Sequence, residues 1–495
     1  MFAVKRFCWV LCVLAAWLAP LTGARALDLS WSEADIAELA VALNEAWTHG
    51  LDPRDYADAQ ALITAPAGEA RDRTARLAFL AYAEDLAFGK VDPRLIEEDW
   101  TAPVRDIDLE LLLVEALGSG RVFAALEGLA PNHPDYAVLR RELVARLAVR
   151  SSPPAVPSGP ILETGSSGPR VDALRRRLVH EGLYQRAVQP GAPFDARLET
   201  ALMRYQTRHN LAATGALDRA TMRELSFTSA DRIAQLRANL ERWRWLPHQL
   251  GERHIRVNIA DYRLEAWANG RIERVHETMI GSQYASTPVF SEDMSYIELN
   301  PIWYAPGGLG SSRLRAMRSA PAWALSQGYR LVELNTGRQV DPYTARWGEV
   351  DYRIIQRPGP NNAMGEVKFM FPNRHNVYIH DTPHRDLFAN VRRTDSSGCV
   401  RVQDPEALAA WVLETEAGWS LARLREVLAG NDTTRVYLDR TIPVHILYFT
   451  AVSDRFGEAR FIHDVYNRDA ALIAALDSRL PVREAAGEGV QGRAP

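Results

Sequence analysis

The sequence predicts an α+β multidomain chain: a helical N-terminal scaffold, a small three-helix module, and a mostly β domain that carries a lid-like insertion. Three observations predict it. The 495 residues exceed what one compact core holds, so several domains are required. A proline-, serine- and glycine-rich run, Ser151–Pro160, breaks every apolar period and reads as a linker. After Pro247 the hydrophobic period changes from helical to two.

The first element is not part of the fold. Lys5 and Arg6 precede an apolar run from Phe7 to Leu21, and Ala24-Arg25-Ala26 follows with small residues two apart. That is the layout of a secretory signal peptide, so residues 1–26 are expected to be removed. A membrane span needs about 20 apolar residues, more than this run supplies. Cys12 follows Trp9-Val10-Leu11, bulky residues that suit lipoprotein cleavage poorly. No later segment reads as a span, so the mature chain is expected to be exported with no stable membrane span. Formal net charge is −4 and no basic stripe appears, which argues against a nucleic-acid partner.

Residues 27–150 read as the helical scaffold. Ser32-Glu33-Ala34-Asp35 opens a helix with Ile36, Leu39, Ala40 and Leu43 on one face. Amphipathic stretches follow at Thr74–Phe88, Leu109–Leu117 and Tyr136–Leu147. The linker is 151–160 and the three-helix module 161–228, with Val171, Leu174 and Leu178, then Leu198, Ala201, Leu202 and Tyr205, at helical spacing. A connecting helix occupies 229–250. The β domain spans 251–438: Ile255, Val257 and Ile259 alternate with polar residues, as do Leu264, Ala266 and Ala268, and Asn269-Gly270 is a hairpin turn. Further strands are expected at Met294–Asn300, Tyr352–Gln356, Val367–Phe371 and Val377–His380, and a helix at Asp404–Leu413. Residues 309–350 interrupt the strands and read as a lid, or else as a surface excursion. A C-terminal scaffold segment, 439–478, and a disordered tail, 479–495, complete the chain.

Of three cysteines, Cys8 and Cys12 leave with the signal peptide, and Cys399 remains alone. It cannot form an internal disulfide, so it is either a packed apolar thiol or a reactive one. Ser396-Ser397-Gly398 precede it, small residues that let backbone N–H groups approach a developing negative charge. His380 ends a strand 19 residues earlier (399 − 380) and is the best-placed base on the chain. A free thiol is only a few per cent thiolate at neutral pH, and an imidazole that takes its proton makes it a nucleophile. Spacing alone leaves the structural and catalytic readings open. His375, His380 and His384 do not suggest a metal, because strand alternation and Pro383 oppose a convergent geometry. Gly307-Gly308-Leu309-Gly310 lacks the lysine of a phosphate loop.

Two resemblances name a family. Gly165-Ser166-Ser167-Gly168, Val171-Asp172-Ala173-Leu174-Arg175, Gly182-Leu183-Tyr184 and Ala201-Leu202-Met203-Arg204-Tyr205-Gln206 resemble the peptidoglycan-binding module, with Arg175 and Tyr205 where the family usually has Gln and Phe. Whether glycan binding is retained or the module serves only as scaffold stays open. His380-Asp381-Thr382-Pro383 and Ser396-Ser397-Gly398-Cys399-Val400-Arg401-Val402 resemble the L,D-transpeptidase catalytic domain, in its long periplasmic branch. So do Thr287-Pro288-Val289-Phe290-Ser291, Leu299-Asn300-Pro301-Ile302-Trp303, Arg357–Gly365 and Lys368–Asn373.

The resemblance implies a cysteine acyltransferase of the periplasm that uses no metal or cofactor. Its donor is a tetrapeptide stem of peptidoglycan, its acceptor the side-chain amine of another stem, and its product a 3→3 cross-link. Carbapenems are expected to acylate the thiol. The resemblance makes Cys399 the nucleophile, His380 the general base and then acid, and the N–H groups of Gly398 and Cys399 the oxyanion donors. Asp381 orients His380, through its backbone carbonyl first and its carboxylate second. Arg401 either binds a substrate carboxylate or forms a salt bridge that steadies the cysteine loop. Ser397, Trp303 and Asn362 are the other expected substrate contacts. Where the family has a serine-led helix after its Asn-Pro-x-Trp piece, this chain has Tyr304-Ala305-Pro306-Gly307-Gly308, which puts the lid's entry and acceptor choice in question. Three acceptors stay open, a stem, an outer-membrane protein and water; a non-catalytic cell-wall binding protein is the reading from another class.

Overall fold

The computed structural model describes residues 30–149, 153–185, 189–209 and 211–478. The signal-peptide and tail expectations, 1–26 and 479–495, lie outside the described residues.

Scaffold helices α1 (Glu33–Asn44), α2 (Ala59–Thr64), α3 (Glu69–Phe88), α4 (Leu109–Ser119), α5 (Val122–Glu127) and α6 (Pro134–Ala148) follow the apolar periodicity. Ser32 caps α1 in a capping box with Asp35, a feature that contributes about 1 kcal/mol. Ile36, Leu39, Phe79, Leu86 and Leu126 build a core of their own, whereas Tyr136, Leu139 and Leu143 of α6 pack into the core of the β domain.

The module has α7 (Pro169–His180), α8 (Ala196–Arg208) and α9 (Arg219–Leu225) around Val171, Leu174, Leu202 and Tyr205. Its Arg175 is buried and donates to the carbonyl of Ala192, which accommodates the charge at a position where a neutral amide is usual in the family.

The expected connector is a core helix. α10 (Ser229–Arg244) packs against α3, α6 and the C-terminal end of the chain. Arg244 and Glu241 pair in full burial, Arg244 donating to the His49 carbonyl and Glu241 accepting from the Val91 N–H, so the pair ties α10 to the scaffold.

The β domain is a closed barrel. In chain order its first strands are β1 (Arg253–Asn258), β2 (Arg263–Ala268), β3 (Arg271–Met279) and β4 (Phe290–Leu299). The insertion then contributes β5 (Trp303–Tyr304), α11 (Gly307–Ser319), α12 (Pro321–Ser326), β6 (Tyr329–Glu333), β7 (Gln339–Val340) and β8 (Tyr352–Gln356). The barrel resumes with β9 (Val367–Met370), β10 (Ile379–His380), β11 (Val400–Val402), α13 (Pro405–Val412), α14 (Leu421–Leu428) and β12 (Thr434–Leu447). The barrel order is β1-β12-β4-β9-β10-β11-β3-β2. Asn269 and Gly270 both have positive φ, as the two-residue turn between β2 and β3 requires. Ile297, Phe369, Ile379, Val400 and Ile446 fill the interior, so the residues alternating with them face outward.

Two expected boundaries move. The barrel does not stop at 438: β12 pairs with β4 and β1 as far as Leu447, with an irregularity between Tyr437 and Ile442. The insertion is also wider than 309–350. Its four-stranded sheet, in the order β5-β8-β6-β7, takes in Trp303 and Gln356 and has its own core of Trp303, Met317, Tyr329, Leu331 and Ile354. A helix forms after the Asn-Pro-x-Trp piece although no side chain caps it. The described residues close with a hairpin of β13 (Ala451–Ser453) and β14 (Ala459–Phe461), then α15 (Asp469–Asp477).

Candidate active site

β10 and β11 run parallel, with Ile379 opposite Val400 and His380 opposite Arg401. The apolar partners point into the barrel, so His380, Cys399 and Arg401 share the outer face. This is the constellation expected from the sequence, brought together by neighbouring strands.

His380 is buried, and its Nδ1 lies 2.5 Å from the carbonyl oxygen of Asp381. A carbonyl only accepts, so Nδ1 carries the proton and Nε2 presents a lone pair. Burial, then the positive charges of Arg401 and Lys368, hold the imidazole down at about 3, against an ordinary 6.5. It is therefore neutral at physiological pH and able to accept a proton. The Asp381 carboxylate does not orient it. That carboxylate accepts from the Glu366 N–H at 2.9 Å and from Arg385 at 2.8 Å. Gly365, at φ +61°, leaves room for it: a Cβ there would sit 2.2 Å from Asp381 Oδ2.

Cys399 is half-buried, and its Sγ lies 3.8 Å from the carbonyl oxygen of Asn376. No hydrogen bond joins Sγ to His380 among the described residues. Burial pushes the thiol up, while Lys368 and Arg401 pull in the other direction. The resting pair is thus a neutral thiol beside a neutral imidazole. Among the described residues Arg401 makes no close ion pair, and its Nε is buried without an acceptor. Asp395 of the cysteine loop acts on the guanidinium electrostatically, so both expected roles, a carboxylate anchor and a brace of the loop, stay open.

The loop before Cys399 is cross-braced. Ser396 Oγ donates to the Cys399 carbonyl at 2.5 Å and accepts from the Gly398 N–H at 3.1 Å. Of the two expected oxyanion donors, Gly398 is thus already engaged, and the Cys399 N–H has no acceptor among the described residues. Gly398 has φ +112°, a conformation that favours glycine. Ser397 stands exposed on the loop.

Two expected substrate contacts are built into the frame of the insertion. Asn362 is buried; its amide donates to the carbonyls of Pro301 at 2.9 Å and Arg357 at 3.0 Å and accepts from the Met364 N–H at 2.7 Å. It clips the two stems of the insertion together. Trp303 is buried in the insertion's core against Tyr329.

Sequence reasoning missed the brace behind the loop. Thr287 Oγ1 donates to the Gly398 carbonyl at 2.8 Å and accepts from the Gly281 N–H at 2.9 Å. The Tyr466 hydroxyl donates to the Gly281 carbonyl at 2.6 Å and accepts from the Thr287 N–H at 3.2 Å. Arg468 reaches the Thr287 carbonyl at 3.2 Å and pairs with Glu97 of the scaffold at 2.8 Å. Gly281 cannot carry a side chain, because a Cβ would meet the Ala285 carbonyl oxygen at 2.0 Å. Lys368 was missed as well, although alternation around Phe369 puts it on the face of His380.

Comparison with known proteins agrees with this frame. Residues 252–444 match the L,D-transpeptidase catalytic domain, 23–143 a scaffold domain, and 167–225 the family described as "Putative peptidoglycan binding domain". A curated relative from Haemophilus influenzae, named "Putative L,D-transpeptidase", is 33 % identical over 270 residues, which is 52 % of this chain and 54 % of the relative. The chain thus aligns with about half the length of that relative. A crystal structure of an L,D-transpeptidase from Xylanimonas cellulosilytica is 15 % identical and covers 59 % of this chain and 99 % of its own, with a TM-score of 0.18. One from Stackebrandtia nassauensis is 10 % identical and covers 59 % and 96 %, with a TM-score of 0.22. Similarity at that level adds nothing to the account of the fold. The family matches establish that the chain contains an L,D-transpeptidase catalytic domain and a peptidoglycan-binding domain, joined by helical and strand-rich regions in an α+β multidomain protein.

Proposed function

We propose that this protein is a periplasmic L,D-transpeptidase that forms 3→3 cross-links between peptidoglycan stems through a thioester on Cys399. The observation that carries the reading is a neutral imidazole of fixed tautomer sharing a strand face with the Cys399 thiol and a guanidinium whose buried Nε has no acceptor.

The chemistry follows from these groups. The reaction requires Sγ to leave the Asn376 carbonyl and meet Nε2 of His380. Nε2 takes the thiol proton, and Sγ attacks the carbonyl carbon of the third stem residue. The oxyanion is met by the free Cys399 N–H. As the bond to the terminal D-alanine breaks, the imidazolium returns its proton to the leaving amine, leaving a thioester. The acceptor's side-chain amine then attacks, Nε2 takes one of its protons, and the thiolate leaves and is reprotonated. The imidazolium exists only within each half-reaction, consistent with an environment that disfavours it at rest. Arg401 supplies a carboxylate anchor beside the scissile bond.

The test uses purified disaccharide-tetrapeptide. The enzyme is expected to release D-alanine and yield dimers joined between third residues. Release of D-alanine without dimers would make water the acceptor, and dimers formed equally by Cys399→Ala would refute the thioester.

A further inference from the structure

On the outer face of β12, β4, β9, β10 and β11, side chains align in two rows across the strands. In one row Tyr437 stands opposite Tyr296, and Tyr296 opposite Met370. One step from the pairs of Ile379 with Phe369 and Val400, Tyr378 continues that row from Met370 to Cys399. In the other, Arg435 stands opposite Glu298, Glu298 opposite Lys368, Lys368 opposite His380, and His380 opposite Arg401.

The rows are knitted together. The Tyr296 and Tyr437 rings lie 5.1 Å apart, and Lys368 Nζ sits 3.9 Å above the Tyr378 ring. Glu298 is shared by Arg435 at 2.7 Å and Lys368 at 4.0 Å, so two cations there meet one acid, while Arg401 at the far end feels Asp395. Tyr437 is 64 % exposed. The dyad therefore ends a track that is aromatic along one side and cationic along the other.

We infer that this track binds the glycopeptide form of the donor, the sugar of the stem lying on Tyr296 and Tyr437. This rests on the transpeptidase reading of Cys399. Strands lie about 4.8 Å apart, so along the curved barrel wall the path from Cys399 is about 14 Å to Tyr296, three strands away, and about 19 Å to Tyr437, four strands away. Three extended residues span about 10 Å. With the third stem carbonyl at Sγ, the first residue and its acid linker end where the two rings begin. Aromatic rings offer a broad apolar face for sugar C–H groups and a hydroxyl at the tip. Lys368 and Arg401 are complementary to the carboxylates of the stem between them.

The experiment compares acylation of the full chain by disaccharide-tetrapeptide and by the free tetrapeptide of the same sequence, read as thioester by intact mass. The wild type is expected to show an apparent KM at least 5-fold lower for the glycopeptide. Tyr437→Ala, at an exposed position, should reduce that advantage, and the double variant Tyr296→Ala/Tyr437→Ala should abolish it. Both should keep the free-tetrapeptide rate within about two-fold, which also reports an intact fold. A wild type that labels equally with both substrates, or variants that keep the advantage, would overturn the track alone. No thioester with either substrate would overturn the transpeptidase reading and the track together.

Discussion

Thr287→Val separates the brace from the chemistry it supports. Valine keeps the shape of threonine and removes Oγ1, which holds both the Gly398 carbonyl and the Gly281 N–H. Both glycines are buried, so each loses its partner without gaining water. A buried polar group left unsatisfied costs about 1–3 kcal/mol, and two together give a loss of about 2–6 kcal/mol. That is a sizeable share of the roughly 5–15 kcal/mol that holds a domain. The loop carrying Gly398 and Cys399 would lose its rear anchor, and a misplacement near 1 Å at a reacting group costs on the order of 100-fold in rate. Thermal unfolding and the rate of thioester formation are the two assays. The account expects a lower Tm together with a 10- to 100-fold slower acylation, and near-complete recovery of both in Thr287→Ser, which restores the hydroxyl. A valine variant with unchanged Tm and an acylation rate within two-fold would refute the reasoning.

Glu241→Ala leaves the buried Arg244 charge unpaired and should cost about 3–5 kcal/mol in chemical denaturation. Asn362→Ala should loosen the insertion's stems without touching the dyad: protease cleavage between 303 and 356 should increase while thiol alkylation at Cys399 is unchanged. The pH prediction follows from His380. Its native value is about 3 and its unfolded value near 6.5, so between these pH values the unfolded chain binds a proton that the native chain does not. Its contribution to stability is therefore lost as pH falls from 6.5 toward 3, by up to about 1.4 kcal/mol per pH unit. Denaturation midpoints at pH 7 and 5 should differ less in His380→Gln than in the wild type. Thioester formation, in turn, should show no acid limb near pH 6.5.

How much of this was legible in one dimension depends on the kind of contact. The barrel strands declared themselves because one-sided burial imposes a period of two, as at Ile255, Val257 and Ile259. The run of β12 past 438 was hidden because Asp439-Arg440-Thr441 breaks the alternation at the irregularity and Pro443 reads as a strand stop. Cys399, the small residues before it and a strand-end histidine lie within 20 residues of one another, which left the catalytic and structural readings open until the resemblance of the two motifs favoured the first. The brace was not visible, since Tyr466 lies 67 residues beyond Cys399 (466 − 399) and no local pattern links them. The bonds of Asn362 were not legible because an amide spent on backbone carbonyls and one presented to a substrate are the same letter. The carbonyl of Asp381 was expected to outrank its carboxylate, and the geometry agrees: the carboxylate is turned to Glu366 and Arg385.

Intact-mass analysis of the chain after incubation with a tetrapeptide donor tests the assignment of Cys399 most directly. The account predicts a mass increase equal to the acyl tripeptide, the donor having lost its terminal D-alanine, located on Cys399 and absent from Cys399→Ala. No adduct on the wild type, or the same adduct on the alanine variant, would contradict it.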